Sequence, residues 1–435
     1  MTLCGVAALA FGPLSASDPA SAATGGFCAG GGHVTVITRG TLFGIAAQRN
    51  GGFVAFGQAE RHNQLKIFVK RFHADGTRDG SFGTRILAGS DTGTFPEAMA
   101  VDSHNRIVVA GETGVIPDSG EGHIALWRLL RSGARDTAFG RNGYVRYRDP
   151  DPAATQEEHG LAIDAHDRPV VAGYGGPVTG PVEPLVVRFT AHGRPDRSFN
   201  MVNGTGVPYF VPSLPRQYTA EKIEVQGDGG LVISTSGPAR DPMSLARVIP
   251  GDLTGTGTAS LDLSFGTGGN GLAEVPQLAL DSGFHVLPGG RILVFGRDAS
   301  HSHPAIARLT RSGVVDTSYG LPGGVPITGV PTTDPHRRYL GTVVPLPHGQ
   351  LAVLGGTELK NGPRTFIARL DPRGALDKRF GTSGLHFLRS PDQGSTMTET
   401  PDGHLLVAHQ RYVSPQDDDG LVYRFHRNLN RAACP

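Results

Sequence analysis

The sequence predicts an all-β chain folded as a seven-bladed β-propeller of four-stranded antiparallel blades, with the ring closed by an N-terminal strand that completes the last blade. Three observations lead there. A short phrase recurs along the chain, as in AIARLTRSGVVDTSYG from Ala305 to Gly320. A second mark, an apolar run ending at Gly57, Gly111, Gly173, Thr235, Gly296, Gly355 and His409, recurs at steps of 54, 62, 62, 61, 59 and 54 residues. The two ends of the chain each hold part of one unit. Periods of this size indicate stacked supersecondary units, each unable to bury its apolar face alone.

Within one unit, Glu97 to Arg148 shows the order of elements. EAMAVD, RIVVAGE, HIALWRLL and GYVRYR read as four strands, with turn residues between them. The second is apolar at nearly every position, as suits a strand covered on both faces by neighbouring blades. The 63 glycines, 32 prolines and single Trp of this 435-residue chain fit many short strands joined by tight turns. Radial packing of such sheets makes a propeller.

The chain ends decide between a ring and a row. The seventh unit has three strands and then stops near Cys434, while Phe27 to Ile37 carries an aromatic, glycines and an alternating strand, the missing fourth. Residues 33–435 are therefore expected to form one propeller. Residues 1–23 read as a signal peptide: Leu3 to Leu14 is apolar yet too short to span a bilayer, and Ser21-Ala22-Ala23 offers a cleavage site, although no Lys or Arg precedes the run. Residues 24–32 form a short N-terminal segment. With Cys4 in the leader, Cys28 and Cys434 remain, one near each end, and a disulfide across the ring closure is expected, which implies an oxidising, exported location.

Each full unit places an arginine at the end of its third strand and an aspartate after the following turn: Arg71 and Asp79, Arg128 and Asp136, Arg188 and Asp196, Arg247 and Asp262, Arg308 and Asp316, Arg369 and Asp377. The spacing is eight except in the fourth unit, where Gly251 to Gly257 reads as an insertion. Because every blade repeats the pair, a scaffolding ion pair or an Asp bonded to turn amides is expected. The aromatics that follow, Phe82, Phe139, Phe199, Phe265, Tyr319 and Phe380, read as packing between blades, and Trp127 as core.

This pattern, L-D-x-x-F-G after an apolar strand ending in Arg and preceded by D-G-x-hydrophobic-V-x-G, resembles the delta-60 repeat, a bacterial propeller repeat of largely unassigned function. Asn200 in place of Gly and Tyr319 in place of Phe depart from it. The resemblance implies an extracellular or cell-surface location and supplies no catalytic residues.

Function is expected where the blades differ, on the face carrying the connections between strands two and three and the links between blades. Three clusters are candidates there. His301 and His303 could join a metal site, Asp417, Asp418 and Asp419 suggest calcium without the spacing of an EF-hand, and Glu157, Glu158 and His159 could supply acid and base, with a plain solvated loop the simpler reading of each. No cofactor is expected. Lys plus Arg at 40 against Asp plus Glu at 39 gives no overall field favouring nucleic acid or an anionic membrane. The expectation is a secreted or surface monomer with no membrane span, binding a protein or glycan, with a glycan-directed hydrolase or lyase as the alternative.

Overall fold

The computed structural model describes residues 26–426, except 30–31, 62–63, 88–93, 114–121, 148–153, 178–182, 200–208, 211–218, 237–243, 252–258, 276–277, 299, 301–302, 321–324, 328, 335–337, 361, 389–392 and 415–416. Its strands form seven separate antiparallel sheets, with consecutive strands paired in the order of the chain. Blade 2 is typical: Thr94–Val101 lies innermost, followed outward by Ile107–Thr113, His123–Leu129 and Tyr144–Tyr147. Blade 4 differs. After the inserted stretch, Ser260–Leu261 and Leu272–Glu274 both pair with its third strand, Ser244–Ile249.

The closure is as the sequence predicts. His33–Ile37 runs antiparallel to Asp417–Phe425, with His33 opposite Tyr423 and Val34 opposite Val422, so the first strand is the outer strand of blade 7. Phe27 takes the place of the blade's missing aromatic, its ring 5.2 Å from the Arg424 guanidinium. Gln410 of blade 7 then bonds the inner strand of blade 1, donating to the Gly40 carbonyl and accepting from the Leu42 amide.

The apolar cores of the described residues lie between blades. Val54, Ile67 and Phe82 of blade 1 pack with Ile107, Ala125 and Trp127 of blade 2. At the seam, Val34, Leu406 and Val422 of blade 7 pack with Leu42, Phe53 and Phe68 of blade 1. This arrangement explains the continuous apolar second strands: Ile107–Thr113 is buried at six of its seven positions because each face meets a neighbouring sheet. No described helix is long and apolar enough to cross a membrane.

Candidate functional site

The repeated Arg–Asp pairs form a scaffold at one end of the ring. Arg128 Nε donates to Asp136 Oδ2 at 2.8 Å, and the same bond recurs for Arg71 and Asp79, Arg188 and Asp196, and Arg308 and Asp316, at 3.1 Å for Arg369 and Asp377. Arg247 reaches Asp262 across the blade 4 insertion. Each aspartate also accepts from the turn that follows, as Asp79 does from the Ser81 amide and hydroxyl at 2.9 and 2.6 Å. Each arginine in five of these blades lies over the aromatic that ends the turn, 4.2 Å for Arg128 over Phe139. Burial pushes the Asp79 carboxyl up, but the Ser81 hydroxyl, Arg71 and the Phe82 amide outweigh it and hold the group well below its ordinary value. The arginines also join blades: Arg128 Nη1 donates to the Ala191 carbonyl at 2.6 Å and Arg424 Nη1 to that of Ala74 at 2.6 Å.

The opposite kind of position lines the central channel. Every inner strand breaks register at one level; in six blades the break is a β-bulge that releases one residue from the ladder and re-aims it, and in blade 5 it releases three, 280–282. The register breaks between Leu42 and Gly44, Pro96 and Ala98, Glu158 and Gly160, Ala220 and Lys222, Ala279 and Gly283, Leu340 and Thr342, and Gly394 and Thr396. Each bulge stands across from the repeat's second mark. Phe43 and Gly57, Glu97 and Gly111, His159 and Gly173, Glu221 and Thr235, Ser282 and Gly296, Gly341 and Gly355, and Ser395 and His409 are all 14 residues apart. A β-carbon on Gly57 would come 2.1 Å from the Thr41 carbonyl oxygen, and one on Gly111 2.1 Å from that of Phe95, so these two positions have no room for a side chain, whereas blades 4 and 7 carry Thr235 and His409 at the corresponding place.

Phe43, Glu97, His159 and Glu221 thus form an arc across four successive blades on a cavity of about 640 Å³. His159 Nδ1 lies 2.8 Å from Glu221 Oε2, and its ring is 5.3 Å from that of Tyr174. Phe43 stacks on Phe56 at 6.3 Å, giving one wall of the cavity an aromatic surface. Deeper in the channel, beside a second cavity of about 500 Å³, Lys222 Nζ lies 2.9 Å from Glu224, which also accepts from the Val286 amide at 2.6 Å and faces His285 at 3.2 Å. Burial raises the Glu224 carboxyl, but Lys222 and His285 outweigh it and bring it down to about 2.

The sequence candidates fall in different places. Glu157, Glu158 and His159 belong to the inner strand Ala154–Ile163, not to a link between blades, so His159 faces the channel; the side chains of Glu157 and Glu158 lie outside the described residues. His301 also lies outside them, and His303 is held by Asp298 at 3.1 Å. Asp417, Asp418 and Asp419 begin the third strand of blade 7, where Asp419 pairs with Arg411, and the Asp417 side chain is again outside the described residues. Cys434 and the Cys28 side chain are outside them too. A cluster that sequence reading passed over, Asp102, His104 and Asp167, joins the turns of blades 2 and 3. Arg106 lies 2.6 Å from Asp102 and 3.5 Å from Asp167, so a guanidinium already occupies the position of a cation.

Residues 105–139 and 288–319 match the family model described as "Domain of unknown function (DUF5122) beta-propeller", a relative of the delta-60 repeat. Both segments end at the turn aromatic, Phe139 and Tyr319. No curated protein matches. Similar solved structures include the polysaccharide lyase Uly1, at 10% identity and a TM-score of 0.45 over 88% of this chain and 90% of that one. Prolyl oligopeptidase B from Galerina marginata aligns at 10% identity and 0.49 over 90% of this chain but 49% of its own. The Hadza microbial sialidase Hz136 aligns at 14% identity and 0.43, over 72% and 62%.

Proposed function

We propose that this chain, whose blades carry the DUF5122 propeller repeat, is an exported binding module that takes part of a glycan into its central channel. One observation carries the reading. In the six blades whose inner strand releases a single residue at the bulge, the residue does not repeat: the sequence runs Phe43, Glu97, His159, Glu221, Gly341 and Ser395. A scaffold that needed only to close would repeat this position as it repeats the Arg–Asp pair. The arc sets an aromatic face beside hydrogen-bonding carboxylates and an imidazole. Aromatic surface with a few convergent polar groups suits a sugar ring.

The hydrogen-bonded His159 and Glu221 favour a second reading, since such a pair beside a bound sugar can move a proton. A glycan array run in parallel with turnover assays separates the two. Binding reduced at least tenfold by Glu221→Gln and by Phe43→Ala, with no product formed, supports the module. Turnover by wild-type protein that is lost in His159→Ala moves the chain to the enzymes. Array binding unaffected by both channel substitutions removes the channel from the function altogether.

A further inference from the structure

The near-neutral total conceals a polarised molecule. The described turns joining strands one to two and three to four emerge at the end of the ring that carries the Arg–Asp scaffold, and neighbouring blades touch there. Ser103 donates to Asp167 of the next blade at 2.9 Å, and Gln226 to the Gly290 and Arg311 carbonyls at 2.9 and 3.2 Å. Among the described residues of these turns twelve arginines and lysines are exposed, against three exposed aspartates, Asp75, Asp228 and Asp402. All but one of the twelve are arginines; Arg131, Arg135, Arg194 and Arg197 cluster on blades 2 and 3, Arg373 and Arg379 on blade 6. The whole chain carries a formal +1, so the rest of the molecule balances this face with negative charge.

The exposed large apolar side chains of the described residues are Leu130 at 37%, Leu263 at 56% and Val314 at 36%. All three stand on three-to-four turns of this same face, in blades 2, 4 and 5. Packing does not explain them there, because each motif's Arg, Asp and aromatic already fix the turn from inside.

We propose that this face docks on an anionic lipid bilayer. Its arginine forks match phosphate oxygens in pairs, its annular base presents many such contacts to a plane at once, and the three apolar tips reach the boundary between headgroups and acyl chains. A basic surface alone would suit any polyanion; the apolar tips among the arginines select a lipid surface over a dissolved polymer. The docked ring directs the opposite face, with its variable connections, away from the bilayer, whatever the channel holds.

Flotation of the full chain with vesicles tests this directly. Protein should float with phosphatidylglycerol–phosphatidylcholine vesicles in 50 mM salt, stay behind with phosphatidylcholine alone, and lose most of its binding in about 500 mM salt. Arg131→Glu/Arg135→Glu/Arg194→Glu should lower partitioning by at least about a hundredfold, from roughly fivefold per basic group lost at an anionic surface before the added carboxylates are counted. Arg39→Glu, on the opposite face, should float as wild type does. Leu130→Ser/Leu263→Ser/Val314→Ser should bind in low salt yet release at lower salt than wild type. Circular dichroism and thermal unfolding confirm that each variant is folded. Failure of wild-type protein to float with anionic vesicles overturns the proposal. So does an apolar-tip variant indistinguishable from wild type while both bind heparin or DNA, which would make the face a site for soluble polyanions.

Discussion

Removing the Asp136 carboxylate tests whether the repeated ion pair holds the ring. The Arg128 side chain is 1% exposed and that of Asp136 7%. Asp136→Ala leaves the guanidinium its bond to the Ala191 carbonyl and its contact with the Phe139 ring, but removes the carboxylate bonded to it and leaves only the more distant charge of Asp102. Burial, with Arg106 nearby, already pushes the Arg128 group below its ordinary value, and Asp136 opposes that shift. A buried cation stripped of its partner costs about 3–5 kcal/mol. With an unfolding entropy near 2.1 cal/mol/K per residue, a ring of this length loses about 1 °C of Tm per kcal/mol, so a fall of about 3–5 °C is expected. The same change at Asp316, whose partner Arg308 is 17% exposed, should cost less because water can solvate the arginine. Urea titrations followed by fluorescence and circular dichroism provide the free energies. The sharper result comes from Arg128→Met/Asp136→Leu, which removes both charges and should be more stable than Asp136→Ala alone. A double variant less stable than the single one, or an Asp136→Ala loss under about 1 kcal/mol, refutes the reasoning.

Two further outcomes follow from other parts of the ring. Because Glu224 is held at about 2, below the ordinary 4.5, its contribution to stability is present above pH 4.5 and lost as pH falls through 2. Glu224→Gln should therefore be less stable than wild type at pH 7 with the gap narrowed to about half or less at pH 3, as read by urea midpoints, and an unchanged gap would contradict the linkage. At the seam, Cys434 falls ten residues after Arg424, as Ser81 does after Arg71, and Cys28 follows Phe27 as Gly83 follows Phe82. Residues two apart in a helical turn hold their Cα atoms about 5.4 Å apart, within disulfide range, so non-reducing peptide mapping of protein exported from its host should recover a Cys28–Cys434 peptide. On the chain-entropy model this bond contributes about 6 kcal/mol, and free thiols at both positions would remove it.

The architecture was legible because the repeat states it seven times and the two chain ends complete each other's unit. The channel was less so. Polar residues on an inner strand resemble the link that precedes them, as Glu157 to His159 do. The signal was nonetheless present: the glycine used to count the blades is the residue that faces the bulge, and stepping back 14 positions from it reaches Phe43, Glu97, His159 and Glu221 directly. Nothing local marks that step, since a bulge is a property of two paired strands. The basic face was hidden for a different reason. Its arginines alternate along the chain with the aspartates of the scaffold, so a sum over residues cancels charges that the fold separates into buried pairs and exposed tips.

The same economy operates at both levels of the ring. In the turn, the residues that repeat are those whose side chains enter the blade, Arg, Asp and the aromatic; the tips between them differ, and there stand Arg131, Leu263 and Val314. At the channel, the second strand repeats a glycine across from the bulge in five blades, with Thr235 and His409 in the other two, and the bulged residue of the inner strand differs. Each unit thus fixes a backbone and leaves one side chain open at the channel and a few open at the base. Closure by the first strand makes these open positions into complete circles, because blade 7 meets blade 1 through the contact that recurs in five other blades: Arg424 lies over Phe27 as Arg128 lies over Phe139. A gap at the seam would leave the channel open on one side and expose the apolar surface of Leu42, Phe53 and Leu406, so the ring must close before either circle can act as a site.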